Sequence, residues 1–490
     1  MSTPDDAQQI AADVHTLRRL GDAQELLRRM SGCSNYALSL SIICILAGGV
    51  TSCGQGRCAV GGAAVGLGWP LVTLFALTVA ATMGQVASAF PTAGGLYHWA
   101  AILGGRGWGW ATAWFNLAGL VAVLAAINAG AVDFVNGCLH LDLSPAQKLA
   151  AVAAVTLSQA ALNHRGIRLT ALLIDFSGWW ILAVAVALTA VVALHAPAYD
   201  WSRLVTFTNY SGPRGGDVWP ATESLVWLFA LGFLLPAYTL TGFDASAHAA
   251  EETVGAAAHV PRAIVRAVAV SGLFGWAMLA AVVLAVPDLD AVAAEGNGAF
   301  ATALKVTLPA GLAAALIVGI GVAQYLCGLA TVTSASRMAY AFARDGGLPA
   351  SGLLRRVHAT HRTPVPAIWT VAVTAVLLTA LVKYDTIAAA CAVLLYVSYV
   401  LPTFLGLLAY GRRWTRMGPW QVGHWYRPLA LVAVAGCVGL LVIGMQPPNE
   451  IAGWIVGGTV LGLLAGWWGG VRRIFPGPPP ELLKQAGNMA

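Results

Sequence analysis

Long apolar runs separated by short polar loops dominate the chain. Twelve of these runs are long enough to cross the hydrocarbon core of a bilayer, which takes about 20 residues of helix. They predict twelve transmembrane helices, over residues 34–57, 64–89, 107–136, 147–163, 168–195, 222–254, 264–286, 309–343, 365–382, 386–409, 426–444 and 452–470. The fold class predicted from this pattern is therefore an all-α integral membrane protein.

The first 32 residues break this pattern because they are polar. Asp5 and Asp6 come early and no apolar core follows, so the segment does not resemble a cleaved signal peptide. Paired arginines occur in this segment, and apolar side chains recur beside them at helical spacing. The apolar residues are Ile10, Val14, Leu17, Leu20, Leu26, Leu27 and Met30. This spacing predicts either an amphipathic helix on the inner leaflet or a frayed tail.

The predicted organisation has four parts. Residues 1–32 form the N-terminal segment, residues 33–410 the core with helices 1–10, residues 411–472 helices 11 and 12, and residues 473–490 a tail. Placing the N-terminus inside puts 21 of the 27 lysines and arginines on the cytoplasmic side. This asymmetry is the positive-inside pattern, so we expect both termini to be cytoplasmic, in the plasma membrane or the inner membrane of a bacterium.

Composition supports the membrane class and excludes others. The residues are 58% hydrophobic and only 10% charged, which is more apolar surface than a water-soluble domain can bury. The net charge of +6 reflects topology and contact with anionic lipid, and we expect no nucleic-acid partner.

Cysteine and histidine give no sign of an enzyme or a cofactor. The eight cysteines have no metal-binding spacing, although Cys53, Cys58 and Cys138 lie toward the outer side, where a disulfide is chemically permitted. The ten histidines supply no evident nucleophile–base pair or metal site, and only His248 lies close to a predicted site. A substrate-gated sensor is the alternative from another class.

Two of the predicted helices are interrupted near mid-depth. Helix 1 contains Ala47-Gly48-Gly49 followed by Val50, and helix 6 contains Thr241-Gly242-Phe243-Asp244. Each glycine costs roughly 1 kcal/mol against alanine inside a helix, so both helices are predicted to unwind there. For the first site alone, close packing of small residues between helices is the better explanation of the glycines. A carboxylate beside Gly242 is not needed for packing and favours a functional site.

The two interruptions suggest inverted halves. They lie five helices apart, in helix 1 and helix 6, and an odd offset means that the two interrupted helices cross the membrane in opposite directions. Such pairs indicate a transporter site at the midplane, between repeats formed by helices 1–5 and 6–10. Unpaired N–H groups after residues 47–49 suit a carboxylate, and carbonyls around Tyr238 to Thr241, with Asp244, suit an ammonium group. No arginine or lysine lies mid-helix, which disfavours acidic substrates.

Three longer motifs resemble one family. They are Phe90–Ala100 (FPTAGGLYHWA), Thr241–Thr253 (TGFDASAHAAEET) and Ser336–Pro349 (SRMAYAFARDGGLP), and together they resemble the amino acid/choline transporter branch of the amino acid–polyamine–organocation permeases. The resemblance implies the leucine-transporter type fold with 5+5 inverted repeats, and amino acids, 4-aminobutyrate, choline or polyamines as substrates. It assigns Tyr238 as a gate. Gly61-Gly62-Ala63 departs from the Gly-Gly-Pro common in the family.

Charged and hydroxyl side chains suggest a gate and a coupling ion. A charge network for an inner gate is predicted from Glu251, Glu252, Arg262, Arg337 and Arg344, with solvated topology charges as the alternative. Asp175 is a candidate for proton binding or a structural carboxylate. The hydroxyls of Thr331, Thr333 and Ser334 are candidates for sodium ligands, and the alternative is that they bond to the backbone of their own helix. Proton symport, sodium symport and exchange are all compatible with these residues.

Overall fold

The computed structural model describes residues 4–19, 25–139, 141–382 and 384–484. Within these ranges the chain is helical, and the pairings between extended segments are two isolated bridges, Met30 with Thr253 and Tyr410 with Trp414. The first half of the chain forms helices at Pro4–Arg19 (α1), Gly32–Ile43 (α2), Gly48–Thr51 (α3), Cys53–Val60 (α4), Trp69–Ala89 (α5), Leu96–Gly104 (α6), Arg106–Leu139 (α7), Pro145–His164 (α8) and Ile167–Leu194 (α9).

The second half continues the same architecture with shorter helices between the long ones. Its helices run over Leu225–Gly232 (α10), Leu234–Thr239 (α11), Ala245–His248 (α12), Ala256–Ala285 (α13), Leu289–Ala294 (α14), Ala299–Thr307 (α15), Ala310–Arg344 (α16), Ser351–Leu354 (α17), Val365–Leu381 (α18), Tyr384–Ala409 (α19), Tyr426–Gly444 (α20), Glu450–Gly466 (α21), Arg472–Ile474 (α22) and Pro480–Lys484 (α23).

The helices have the length and composition of an integral membrane protein. Nine helical segments in the described ranges are long and apolar enough to cross a bilayer. Two further apolar helices are shorter, at Leu225–Thr239 and Val365–Leu381. Exposed leucine, valine and tryptophan side chains cover the outside of the bundle, as expected where lipid is the solvent.

The long helix α7 lies at the centre of the bundle, where it packs against α16 and α19. The interrupted segments α2–α4 and α10–α12 lie beside each other: α2 contacts α12, while α3 and α4 contact α11 and α10. The start of one segment therefore meets the end of the other, so the two run antiparallel. This packing brings their interruptions to the same depth.

Only part of the N-terminal segment is helical among the described residues. α1 covers Ile10, Val14 and Leu17, whereas Leu20 lies outside the described residues. Residues 25–30 are not helical, because Met30 pairs with Thr253 and the N–H of Val254 donates to the Met30 carbonyl at 2.9 Å. The apolar spacing there reflects burial against the protein.

The cysteines carry no disulfide. All eight are free thiols, and those considered for a disulfide, Cys53, Cys58 and Cys138, are buried. The Cys58 thiol points to the carbonyl of Ala293 at 3.4 Å. These residues act as small core side chains.

Candidate functional site

The first interruption lies between α2 and α3. α2 ends at Ile43, residues 44–47 form a turn, and the helix resumes at Gly48. The opening is about one turn earlier than the predicted Ala47-Gly48-Gly49, because the N–H groups of Gly48 and Gly49 still bond back to carbonyls of the turn at 3.0 and 3.1 Å. Gly48 serves close packing: a Cβ built on it lies 2.8 Å from the Cα of Thr239.

The second interruption lies between α11 and α12, at residues 240–244. Gly242 has a φ of +88°, a conformation that glycine adopts without steric cost. Its N–H donates to the hydroxyl of Tyr399 at 3.0 Å. A Cβ built on Gly242 lies 2.3 Å from Cγ2 of Ile42, in the last turn of α2. The two interruptions are therefore in direct contact.

Both interruptions leave backbone groups unpaired. In the part of the chain that the structure describes, the N–H groups of Ile45 and Leu46 have no intramolecular acceptor, and the carbonyls of residues 239–241 have no donor. The Tyr238 carbonyl, expected from the sequence to face an ammonium group, instead accepts the N–H and hydroxyl of Thr241 at 3.4 and 2.8 Å. Since buried backbone groups are rarely left unpaired, these groups are candidates for ligand contact.

Asp244 lies just beyond the second interruption and is fully buried. Its carboxylate accepts hydrogen bonds from the hydroxyl of Tyr399 at 2.7 Å and from the side-chain amide of Asn116 at 2.8 Å, and it lies 3.2 Å from Nε2 of His248. Three protein groups therefore already engage the carboxylate. Through the Tyr399 hydroxyl, which accepts the N–H of Gly242, the carboxylate is also connected to the second interruption.

The partners of Asp244 were largely missed by sequence reasoning. Asn116 is a buried polar residue in an otherwise apolar helix, and that exception to the pattern was a usable signal. Tyr399 is one of several tyrosines in α19 and carried no distinguishing signal. Phe243 packs against the Tyr399 ring, with ring centroids 4.8 Å apart and the ring planes tilted by 37°. The helices that carry these partners, α7 with Asn116 and α19 with Tyr399, reach the site only through tertiary packing.

A second polar contact joins the two interrupted helices. The Ser39 hydroxyl of α2 donates to the Phe243 carbonyl at 2.8 Å and lies 2.6 Å from the Ser246 hydroxyl. The Asn35 amide donates to the Ser246 carbonyl at 3.0 Å and to the Thr253 hydroxyl at 2.9 Å. These buried bonds connect α2 and α12, so the two segments are positioned to move together.

A cavity of about 430 Å³ opens beside the first interruption on the side of α3. Val50 and Thr51, which follow the interruption, form part of its wall, together with Phe134, Phe300 and Tyr384. Tyr238 does not line this cavity. Its side chain borders a separate space of about 30 Å³ near Tyr396.

Comparison with known proteins identifies the family. The model of the amino acid permease family matches residues 33–465. The chain belongs to the amino acid permease family. The permease is 32% identical to the amino-acid permease BAT1 homolog of Oryza sativa subsp. japonica, over 95% of both chains. It is 31% identical to the amino-acid permease BAT1 of Arabidopsis thaliana, over 95% of this chain and 96% of the relative.

Two relatives whose names specify a narrower substrate also match most of the permease. The GABA-specific permease of Saccharomyces cerevisiae is 28% identical, over 91% of this chain and 80% of its own length. A putative polyamine transporter of Candida albicans is 27% identical, over 88% of this chain and 81% of its own length. The family match spans both interruptions.

The end of the permease at which α2 begins, here called the N-terminal face, is closed by ion pairs. Glu252 receives two hydrogen bonds from the Arg337 guanidinium, at 3.0 and 3.2 Å, and both side chains are fully buried. Arg344 pairs with Glu251 at 3.2 Å. Arg262, predicted to join this network, lies outside it, because its side chain is on the exposed face of α13.

The N-terminal segment of the permease lies over the same network. The N–H groups of Glu25 and Leu26 both donate to Glu251 at 2.8 Å, and the Glu25 carboxylate accepts the Tyr340 hydroxyl at 2.6 Å. The Arg28 guanidinium donates to the carbonyls of residues 250 and 253. Burial lowers the pKa of Arg28, an effect partly offset by the carboxylates of Asp13 and Glu251.

The predicted coupling residues of the permease lie in different environments. Asp175 accepts a hydrogen bond from Ser34 at 3.0 Å. Ser34 is in the first turn of α2 and ten residues from Cys44, so Asp175 lies about 15 Å from the first interruption at helical rise. The bond to Ser34 is the one expected for a structural carboxylate, and proton binding by Asp175 stays a prediction.

The hydroxyls of α16 mostly bond to protein groups. Thr331 donates to the carbonyl of Cys327 at 2.9 Å, and Thr333 donates to the side-chain oxygen of Asn163 at 2.7 Å and to the carbonyl of Leu329 at 3.1 Å. The Ser334 hydroxyl is buried and lacks a partner among the described residues. These bonds are the ones expected for hydroxyls that bond back to protein, but they use only the hydroxyl hydrogens, so sodium binding by the oxygen atoms stays a prediction.

Proposed function

We propose that this permease is a secondary active transporter that moves amino acids or related small amines, such as 4-aminobutyrate, by alternating access. The observation that carries this proposal is the contact between two antiparallel interrupted helices, Ile42 against Gly242, in a member of the amino acid permease family. Interrupted helices that meet in opposite directions present both N–H and C=O groups to one ligand.

The substrate binds between the two interruptions in this proposal. Its carboxylate meets the unpaired N–H groups of Ile45 and Leu46, and its ammonium group meets the unpaired carbonyls of residues 239–241. Opposite partial charges at these helix ends match a zwitterion. Val50 follows the first interruption and Phe243 lies within the second, so both belong to the proposed site, and Tyr238 in α11 remains the proposed gate.

Access to the site alternates between two faces. The cavity beside Val50 and Thr51 leads toward the interruptions from one side, while the Glu252–Arg337 pair seals the N-terminal face. With the positive-inside orientation, the N-terminal face is cytoplasmic, the permease faces outward and both termini are cytoplasmic. The proposed architecture has twelve transmembrane helices, with helices 1–5 and 6–10 as inverted repeats, in the plasma membrane or a bacterial inner membrane.

Choline and polyamines fit the site less well than zwitterions. A cationic substrate without a carboxylate leaves the N–H groups of Ile45 and Leu46 unpaired. The nearest carboxylate, Asp244, is already held by three protein groups. Exchange of one amino acid for another uses the same geometry and is the alternative mode of transport.

Reconstitution into liposomes tests the proposal. Liposomes that contain the purified protein are loaded with unlabelled L-alanine or 4-aminobutyrate, and uptake of the labelled compound by counterflow is measured. Choline and putrescine are tested as further probes. We expect saturable counterflow of a zwitterion, and weak competition by L-alanine methyl ester, which lacks the carboxylate charge. Failure of every probe, in counterflow and under imposed proton or sodium gradients, would overturn the transporter assignment.

A further inference from the structure

A buried histidine–aspartate pair lies one turn beyond the second interruption. Nε2 of His248 is 3.2 Å from the Asp244 carboxylate, and both side chains are completely buried. Nδ1 of His248 has no hydrogen-bond partner among the described residues. In the neutral ring with Nε2–H facing the carboxylate, Nδ1 is a bare acceptor enclosed in protein. Because buried polar atoms are normally paired, this one marks a site that a proton can occupy.

A second histidine–aspartate pair lies closer to the N-terminal face. Nε2 of His98 is 2.9 Å from the Asp345 carboxylate, which also accepts the Tyr97 hydroxyl at 2.9 Å. Nδ1 of His98 is 2.8 Å from the Thr92 hydroxyl. His98 is fully buried, whereas Asp345 retains 7% exposure. This pair therefore has a limited opening toward solvent.

Only a glycine turn separates the two pairs. A Cβ built on Gly95 lies 3.1 Å from Nδ1 of His248, and a Cβ built on Gly94 lies 2.6 Å from Nε2 of His98. Gly95 has a φ of +49°, which brings the backbone close to the His248 ring without a side chain between them. The turn belongs to the FPTAGG motif, to which the transport proposal assigns no role.

We propose that the His248–Asp244 pair is the proton-binding site that couples transport to a pH gradient, and that it is loaded from the N-terminal face through the His98–Asp345 pair. This inference rests on the proposed transport function. A proton reaches Nδ1 of His248, and the imidazolium so formed remains paired with Asp244. No bond other than those to the proton is made or broken.

The pair is linked directly to the second interruption. Asp244 holds the Tyr399 hydroxyl, and that hydroxyl accepts the N–H of Gly242. An imidazolium at His248 draws the carboxylate charge toward itself and weakens its hold on Tyr399, so the backbone at Gly242 is released. Protonation thereby changes the geometry of the same residues that the substrate contacts.

Few other charges face His248. α12 packs against α2, α13 and α16, and lies near α6 across the glycine turn. The charged or titratable groups on these elements and on the adjoining turn are engaged elsewhere: Arg337 with Glu252, Arg344 with Glu251, His259 with the Val254 carbonyl, Tyr340 with Glu25, and Tyr36 beside Arg266. Tyr399 of α19 and the uncharged Asn116 of α7 contact Asp244 itself. Within the segment that contains both residues, His248 is thus the titratable side chain that contacts Asp244.

The test compares gradient-driven accumulation with exchange in the same proteoliposomes. His248→Gln keeps a hydrogen-bond donor toward Asp244 but does not titrate. His259→Gln is the matched control, because His259 is a partly buried histidine at the same face that bonds a backbone carbonyl. One proton per substrate lets a pH difference of one unit support up to about tenfold accumulation of L-alanine or 4-aminobutyrate.

We expect the wild type and His259→Gln to accumulate substrate several-fold, and His248→Gln to fall to a ratio near one while counterflow is still measurable. Accumulation by His248→Gln equal to that of the wild type overturns the proton assignment and leaves the transport function intact. An internal pH dye gives a second readout on the wild type alone. Active counterflow without any substrate-dependent proton movement also overturns the assignment.

A titration tests the proton site even if none of the probes is transported. Infrared difference spectra of the wild type between about pH 5 and pH 8, the range in which histidine titrates, are expected to show a linked imidazole and carboxylate change that His248→Gln abolishes and His259→Gln retains. A spectrum in which His248→Gln equals the wild type overturns the inference, even if no probe is transported. Absence of counterflow with a positive spectrum instead places the failure in the proposed transport function.

Discussion

The buried Glu252–Arg337 pair gives the sharpest prediction about closure of the N-terminal face. Glu252 lies in the turn that follows α12, and Arg337 lies in α16, so the pair joins an interrupted helix to a continuous one. Two hydrogen bonds, at 3.0 and 3.2 Å, connect fully buried groups. Glu252→Gln removes the negative charge and leaves the guanidinium unpaired in the interior.

The expected cost follows from that burial. Removing one partner of a buried pair costs about 3–5 kcal/mol, because the remaining charge is uncompensated. Arginine cannot relieve this cost by losing its proton. If closure of the N-terminal face depends on the pair, the same energy shifts the balance between closed and open states by roughly two to three and a half orders of magnitude, at 1.4 kcal/mol per factor of ten.

Thermal unfolding in detergent measures the effect, with an exposed ion pair as the control. Lys148 and Asp133 are 2.7 Å apart, but their side chains are 39% and 45% exposed, so Asp133→Asn costs at most about 1 kcal/mol. We expect Glu252→Gln to lower the unfolding midpoint clearly more than Asp133→Asn. The double variant Glu252→Gln/Arg337→Met, which removes both charges, should recover much of the loss.

Two results would refute this reasoning. Equal midpoints for Glu252→Gln and Asp133→Asn would mean that the buried pair contributes no more than a surface pair. A double variant as unstable as Glu252→Gln would mean that shape, and not an uncompensated charge, determines the loss.

Three further predictions concern the interruptions and the coupling candidates. Gly242→Ala should abolish counterflow, because alanine there has a φ of +88° and places a Cβ 2.3 Å from Ile42. The control Gly105→Ala has a φ of +99° but no atom within 4 Å of the new Cβ, and it should retain most of the counterflow. Equal losses in the two variants would assign the effect to backbone strain alone. Asp244→Asn places an amide N–H donor opposite the donors that the carboxylate now accepts, at a cost of about 1–3 kcal/mol. Uptake of L-alanine and uptake of putrescine should fall by the same factor. A larger loss for putrescine would place Asp244 in contact with the amine. Asp175→Asn, which changes one bond to Ser34, should alter gradient-driven accumulation less than twofold, and a loss matching that of His248→Gln would make Asp175 the coupling group.

The sequence was sufficient for features that depend on local composition. Apolar runs define a helical membrane protein, and a glycine followed by a carboxylate marks the unwound segment at Gly242. The arrival of Glu251, Glu252, Arg337 and Arg344 at one face was also predictable, because they lie near helix ends on the same predicted side, whereas the individual pairs were not. Each of these inferences needs only neighbouring residues or the direction of a helix.

The sequence was less informative where a residue has two physical uses. Gly48 suits both an unwound helix and close helix packing, and in the structure it packs against Thr239. Arg262 lies near the predicted network along the chain but faces outward on α13. Rotation about a helix axis determines such contacts, and it follows from packing between helices.

The sequence by itself determined the membrane class, the helical segments, the family motifs and the position of the second interruption, because hydropathy and backbone preference are local properties. Only the tertiary structure decided what surrounds Asp244. Its partners Asn116 and Tyr399 are 128 and 155 residues away in the chain, and helix packing brings them to one buried carboxylate. The same packing placed His248 beside Gly95, so the candidate proton site became visible only once the helices were assembled.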